Sequence, residues 1–218
     1  MAIIRPDERV FIAGKTGSGK TYLAETLLDR FPYVVVLDNK GLFGTDRTTK
    51  DFYLARRGYG LCYSLEDLPE YSRLYKKIVF RPDPILEGNK KEFLEEMDAF
   101  MWWIYNRENC ILYVDESTAI CDSYNILPGH NAIIKRGREK NIGAWSSSQQ
   151  PVNVHNTLIS ESEHIFAFRT QLQGHRDKLS GFMGDIVKKQ IPGEMKYHYY
   201  YFNPESMDDA ELMKPITK

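Results

Sequence analysis

Residues Gly14 to Thr21 read GKTGSGKT and fill the spacing G-x-x-x-x-G-K-[ST] without a gap. Gly14, Gly17 and Gly19 let the backbone curl until successive N–H groups point inward, a geometry that suits the oxygens of a phosphate chain. Lys15, Thr16 and Ser18 complete the loop. Lys20 is the residue to reach the β- and γ-phosphates of ATP, and Thr21 the one to offer its hydroxyl to Mg²⁺. Tyr22 follows directly and is grouped with them as a nucleotide contact.

A second set of chemical groups closes the apolar run "ILYVDE". A buried strand that ends in two acids delivers both to its carboxyl end, where open α/β sheets bind ligands. Asp115 is suited to hold Mg²⁺ through its waters, because a hard cation takes oxygen ligands. Glu116 is suited to orient and deprotonate a water that attacks the γ-phosphate. Transfer of phosphate to a small molecule needs no such acid, so the pair favours a hydrolase. A third set lies in "KRGREKNIGAWSSSQQP". Serines and glutamines that finish a buried strand must meet a ligand or partners. Gln149 is placed to contact the γ-phosphate or the attacking water. Lys135, Arg136, Arg138 and Lys140 form a basic cluster ahead of it. An arginine there, near the active end of the sheet, could stabilise transition-state charge at the ATP of a neighbouring subunit, and Arg138 is the first candidate.

These groups need strands and helices to carry them. "VFIA" (Val10 to Ala13) reads as a buried strand that enters the loop, and "TYLAETLL" as a helix that leaves it, with Leu23, Thr26 and Leu27 at helical spacing. "YVVVLDN", "KIVFRP", "CILYVDES", "IGAWSSSQ" and "EHIFAFRT" read as further strands, and "KYHYYYF" as an edge strand or hairpin. From Lys90 to Asn106 the residues Phe93, Leu94, Met97, Phe100, Met101 and Ile104 mark one face of an amphipathic helix. The alternation predicts an α/β fold with a mostly parallel sheet covered on both faces. Two stretches resist the pattern, Lys40 to Gly60 and a polar tail from Asn203 to Lys218; the ordered core is expected over about 9–202 of one 218-residue domain.

Composition narrows the partners. The 29 Lys and Arg balance 30 Asp and Glu, so any nucleic-acid contact must come from a local basic surface. Candidate segments are the loop with Arg47, Lys50, Arg56 and Arg57, and the stretch with Lys90 and Lys91. The three cysteines show no metal spacing, which fits a reduced compartment. No run approaches the roughly eighteen apolar residues of a membrane span, so a soluble protein without an integral membrane segment is expected.

The order "GKTGSGKT", "VVVLDNKG", "ILYVDES" and "GREKNIGAWSSSQQP" resembles the HerA/FtsK superfamily of P-loop ATPases, and within it the packaging ATPases of membrane-containing icosahedral viruses. Gly137 and Arg138 match the family's Gly-Arg pair, and Gln149 and Pro151 its Gln-Arg-Pro block. Gln150 stands where the family has arginine, and "HRD" at His175 to Asp177 is a loose match to another family segment. The resemblance runs from about Val10 to Leu179. It implies a three-layer, RecA-like ASCE-type ATPase that assembles as a homo-oligomeric ring, usually a hexamer, around double-stranded DNA. It also implies capsid or vertex proteins as partners, and a place in the host cytoplasm or on the virion. By carry-over Lys20 and Thr21 bind phosphate and Mg²⁺, Asp115 and Glu116 are the metal and catalytic acids, Gln149 is a sensor, and Arg138 acts in trans with Arg136 in reserve. Other motors of this superfamily, an ATP-gated switch that moves no DNA, and a small-molecule kinase are the alternatives.

Overall fold

The computed structural model describes residues 3–44, 54–83 and 88–216. Its centre is a nine-stranded sheet in the order β3-β4-β2-β5-β6-β1-β7-β8-β9. Six strands carry or flank the chemical motifs: β1 (Val10–Ala13), β2 (Val34–Asp38), β4 (Lys77–Phe80), β5 (Cys110–Asp115), β6 (Ile142–Ser148) and β7 (His164–Phe168). They and β3 (Tyr59–Cys62) pair in parallel, so their carboxyl ends share one edge.

Both faces of the sheet are covered, which is why the strands read as near-continuous apolar runs. Val10, Ile12, Val34, Val36 and Trp145 point to one face, where α1 (Lys20–Leu28) lays down Leu23, Ala24, Leu27 and Leu28. Phe11, Ala13, Val35, Leu37 and Leu112 point to the other, against Phe93, Met97, Phe100 and Met101 of α3 (Lys90–Arg107), Ile133 of α4 (Pro128–Arg136) and Leu179 of α6 (Gln173–Met183). The alternation of neighbours in one strand between two cores is the period of two expected of a pleated backbone. Shorter helices complete the layers: α2 (Leu68–Leu74) and α5 (Thr157–Ser160). No helix among the described residues is long and apolar enough to cross a membrane.

The α/β architecture is borne out, with differences at the margins. β3 lies where the sequence resists a strand pattern. Of the two readings of the aromatic strand β8 (Tyr199–Phe202) the hairpin holds and the edge does not: it pairs antiparallel with β7 and with the next strand, β9 (Glu211–Met213). β9 comes from the stretch read as a polar tail. Thr26 is only half buried and its hydroxyl donates to the Tyr22 carbonyl, whereas Glu25 is buried. Its carboxylate accepts the Gly44 N–H at 3.0 Å and pairs with Arg57 at 3.2 Å.

Candidate active site

The phosphate loop is slung between two strand ends. Gly14 N–H donates to the Ser148 carbonyl and Lys15 N–H to the Arg169 carbonyl, which ties the loop to the carboxyl ends of β6 and β7. Gly14, Gly17 and Gly19 all hold positive φ, at 152°, 74° and 109°. A side chain at Gly14 has no space, since its Cβ would stand 2.6 Å from Phe168 Cβ. Gly19 is the N-cap of α1 and no side chain caps the helix, so the N–H groups of its first turn remain for an anion. Lys20 is buried, with Nζ 3.3 Å from the Lys15 carbonyl. The Ser18 hydroxyl is buried and has no protein partner among the described residues, a polar atom that a phosphate oxygen would satisfy.

β6 sits between the loop strand β1 and the Asp-Glu strand β5, so whatever ends β6 stands between the loop and the acids. That residue is Gln149. Its Oε1 accepts the Thr16 hydroxyl at 2.6 Å, and its backbone N–H donates to Glu116 Oε1 at 3.1 Å. One residue thus touches both the loop and the acid.

The serines of β6 brace the acids. The hydroxyls of Ser147 and Tyr113 lie 2.9 and 3.0 Å from Asp115 Oδ1, so both fall on one oxygen of that carboxylate. Burial beside Asp115 pushes the Tyr113 phenol far above its ordinary pKa, which keeps it a neutral donor. Ser147 Oγ also accepts the Glu116 N–H, and the Ser148 hydroxyl donates to Glu116 Oε1. The polar strand end therefore meets protein partners, namely the two acids. An all-oxygen donor set of the Thr21 hydroxyl and the braced Asp115 carboxylate fits Mg²⁺.

Glu116 holds φ 68° and ψ 76°, a left-handed conformation that is strained for a residue with a side chain and that occurs at functional sites. Its Oε2 accepts Lys40 Nζ at 2.9 Å, and its Oε1 accepts the Thr118 hydroxyl at 2.8 Å. Burial works to raise its pKa, but the hydrogen bonds from Lys40, Thr118 and the Gln149 N–H outweigh burial and hold it below the ordinary value. Lys40 escapes sequence reasoning. The only signal is its place in "VVVLDNKG", just past β2, which pairs with β5 in the register Asp38↔Asp115. Asp38 is itself a buried clamp: it accepts the Leu42 and Phe43 N–H groups and pairs with Arg81 Nε at 2.8 Å.

Arg138 is not near the active end of its own sheet. It lies in the short turn Gly137–Lys140 that precedes β6, and a residue ahead of a parallel strand stands at the amino edge. There it pairs with Glu163 at 2.6 Å and Asp7 at 3.6 Å, while Arg9 holds the same Glu163 at 2.7 Å. Arg136 and Lys135 are exposed, and Lys140 pairs with Glu108. Of the basic loop, Arg47 and Lys50 lie outside the described residues. Arg57 is committed to Glu25 and Asp29, which removes it as a free DNA contact, and Arg56 is exposed. Lys90 and Lys91 are exposed at the start of α3, with Lys91 3.7 Å from Glu95.

No family model matches the chain. It is 26% identical over 229 residues to the DNA packaging ATPase P9 of Enterobacteria phage PRD1, across 99% of this chain and 91% of that protein. The chain resembles a viral packaging ATPase nearly end to end. The genome packaging NTPase B204 of Sulfolobus turreted icosahedral virus 2, solved with ATP-gammaS, superposes with a TM-score of 0.69 at 16% identity, over 98% of this chain and 100% of that one. VirB4 of Thermoanaerobacter pseudethanolicus superposes with 0.63 at 12% identity, over 96% and 90%. At these identities the two structures speak for the fold, which is that of a P-loop NTPase. The resemblance to viral packaging ATPases, drawn from motif order, is borne out by the phage relative.

Proposed function

We propose that the protein is a viral genome-packaging ATPase that hydrolyses ATP with Mg²⁺ and couples hydrolysis to movement of double-stranded DNA into a preformed capsid. The observation that carries the chemistry is Gln149, which bridges the phosphate loop and Glu116 from a strand inserted between them. Likeness along the whole chain to a phage packaging ATPase supports the cargo.

The loop N–H groups and the first turn of α1 bind the phosphates, and Lys20 neutralises charge that builds on the β- and γ-oxygens. The Thr21 hydroxyl and Asp115 would hold Mg²⁺, which when bound supplies charge neutralisation at the phosphate oxygens. Glu116, ionised at neutral pH, orients the water and draws its proton. The Gln149 side chain reports the γ-phosphate to the Thr16 end of the loop. Lys40 occupies Glu116 Oε2 in the present state, so the acid engages water fully only when Lys40 swings aside. This resting pair favours slow basal turnover. Arg138, remote from its own loop, acts on the neighbouring subunit of a ring, and exposed bases such as Arg56, Lys90 and Lys91 meet the DNA backbone. Capsid or vertex proteins dock the ring, and the protein works in the host cytoplasm or on the virion.

The test is steady-state ATP hydrolysis across a protein-concentration series, with and without linear double-stranded DNA, and with Glu116→Gln as the blank. Turnover that rises with both concentration and DNA supports the pump. Turnover that is lost in the blank yet indifferent to both would leave an ATP-gated switch.

A further inference from the structure

Beside Gly19, and sharing no lining residue with the groove at Thr16 and Gln149, lies a cavity of about 550 Å³, within the range of small-molecule sites. Tyr22, Phe168, Tyr197, Tyr199 and Ile216 contribute its walls along with Gly19. It begins where the phosphate loop ends. A phosphate chain whose γ-end faces Gln149 and Glu116 must leave the loop at the other end, past Gly19 and Tyr22. Whatever the phosphates are attached to enters this cavity.

The walls are aromatic and partly uncovered. Tyr22 is 43% exposed and Tyr197 is 55% exposed, so both rings present a face to solvent beside the cavity. Tyr197 also holds φ 63°, strained for a bulky residue. Its ring lies against the loop: a Cβ on Gly19 would stand 3.3 Å from Tyr197 Cδ1 and 3.2 Å from Phe168 Cε1. Tyr199 backs Phe168 with ring centroids 5.1 Å apart. Among the described lining residues none carries an amide, carboxylate, ammonium or guanidinium, and their side-chain polar groups are tyrosine hydroxyls.

We propose that this cavity is the nucleobase site, that it grips the base through the rings of Tyr22 and Tyr197, and that it accepts adenine and guanine nucleotides with little discrimination. A site separates bases strongly when buried donors and acceptors match one edge pattern and are left unpaired by another. Stacking on a ring ignores the edge, because every base has a π-face. The proposal rests on the nucleotide-binding reading of the loop and deepens it. Ile216, just past β9, forms part of the wall, so the segment after the last strand takes part in base binding.

The experiment measures KM for ATP and GTP, and the inhibition constant of inorganic tripolyphosphate, which offers the same phosphates without a base. The proteins are the native chain, Tyr197→Ala, Tyr197→Phe and Tyr22→Ala. Loss of a stacking ring corresponds to roughly a five- to hundredfold weakening. The expected result is a KM for ATP raised about tenfold by either alanine and restored by Tyr197→Phe, with tripolyphosphate inhibition unchanged. The native chain is expected to use ATP and GTP with kcat/KM values within about fivefold. An unchanged KM in both alanine variants, or a preference for one purine of about a hundredfold or more, would overturn the proposal. Failure of both ATP and tripolyphosphate to bind the native chain would bring down the nucleotide reading itself, and the base site with it.

Discussion

Replacing Lys40 by methionine keeps the length of the side chain and removes its charge. In the native chain Nζ donates to Glu116 Oε2 at 2.9 Å, and the lysine side chain is 36% exposed against 10% for the glutamate. A hydrogen bond to a charged group contributes about 1.5–3 kcal/mol, and exposure of the lysine to solvent puts this pair at the low end. Losing that preference for the charged form takes away the first of the hydrogen bonds that hold the Glu116 carboxyl down, so its pKa should rise. The remaining donors, Thr118 and the Gln149 N–H, act on Oε1 and are left to oppose burial without the lysine. Because the native pKa is depressed, Glu116 stays ionised as pH falls through the ordinary carboxylate range, and activity is lost only below it. The assay is kcat/KM for ATP against pH, which reports the free enzyme where Lys40 still holds Glu116, with near-UV circular dichroism at each pH to verify the fold. The acid limb should move to higher pH in Lys40→Met. If the two limbs coincide within a few tenths of a unit, Lys40 does not control the charge on Glu116.

Three further outcomes follow from individual contacts. Burial pushes the His130 imidazole down to about 4 from 6.5, so the folded chain refuses a proton that the unfolded chain accepts. Stability from this group is complete above pH 6.5 and falls by about 3 kcal/mol as pH drops to 4; urea midpoints should show that slope, and His130→Phe should flatten it. Gly14→Ala forces a Cβ to 2.6 Å from Phe168 Cβ at positive φ, so ATP affinity measured by calorimetry should drop at least about tenfold and stability by about 1–3 kcal/mol. Arg138→Ala removes a pair whose arginine side chain is 41% exposed, so the denaturation midpoint should reflect a loss of less than about 1 kcal/mol. Its turnover should nonetheless collapse in the assembled state and recover partly on mixing with Lys20→Ala subunits, which still supply Arg138; no recovery would place its action elsewhere.

Much of the chemistry was determined by the sequence alone because it is local. The phosphate loop is eight consecutive residues, Asp115 and Glu116 are adjacent, and Gln149 closes a strand whose polar end stands out against its apolar body. Local period also marked α3 and the six central strands, since burial on both sheet faces leaves an apolar run that nothing else explains. Short outer strands carry no such mark, and β3 and β9 became strands only because β4 and β8 offered unpaired backbone groups. The Lys40–Glu116 pair joins residues 76 apart in sequence and depends on β2 lying beside β5, a fact of strand order. The Tyr197 ring against Gly19 likewise needs β8 to fold back on β7. Arg138 shows how strand direction decides position: its neighbours in sequence point to Gln149, yet the seven residues of β6 carry Gln149 to the opposite edge of the sheet. Residue types set which reactions are possible here, whereas the strand order and the parallel direction of the sheet decided which groups meet, because contacts between distant segments arise only when the core packs.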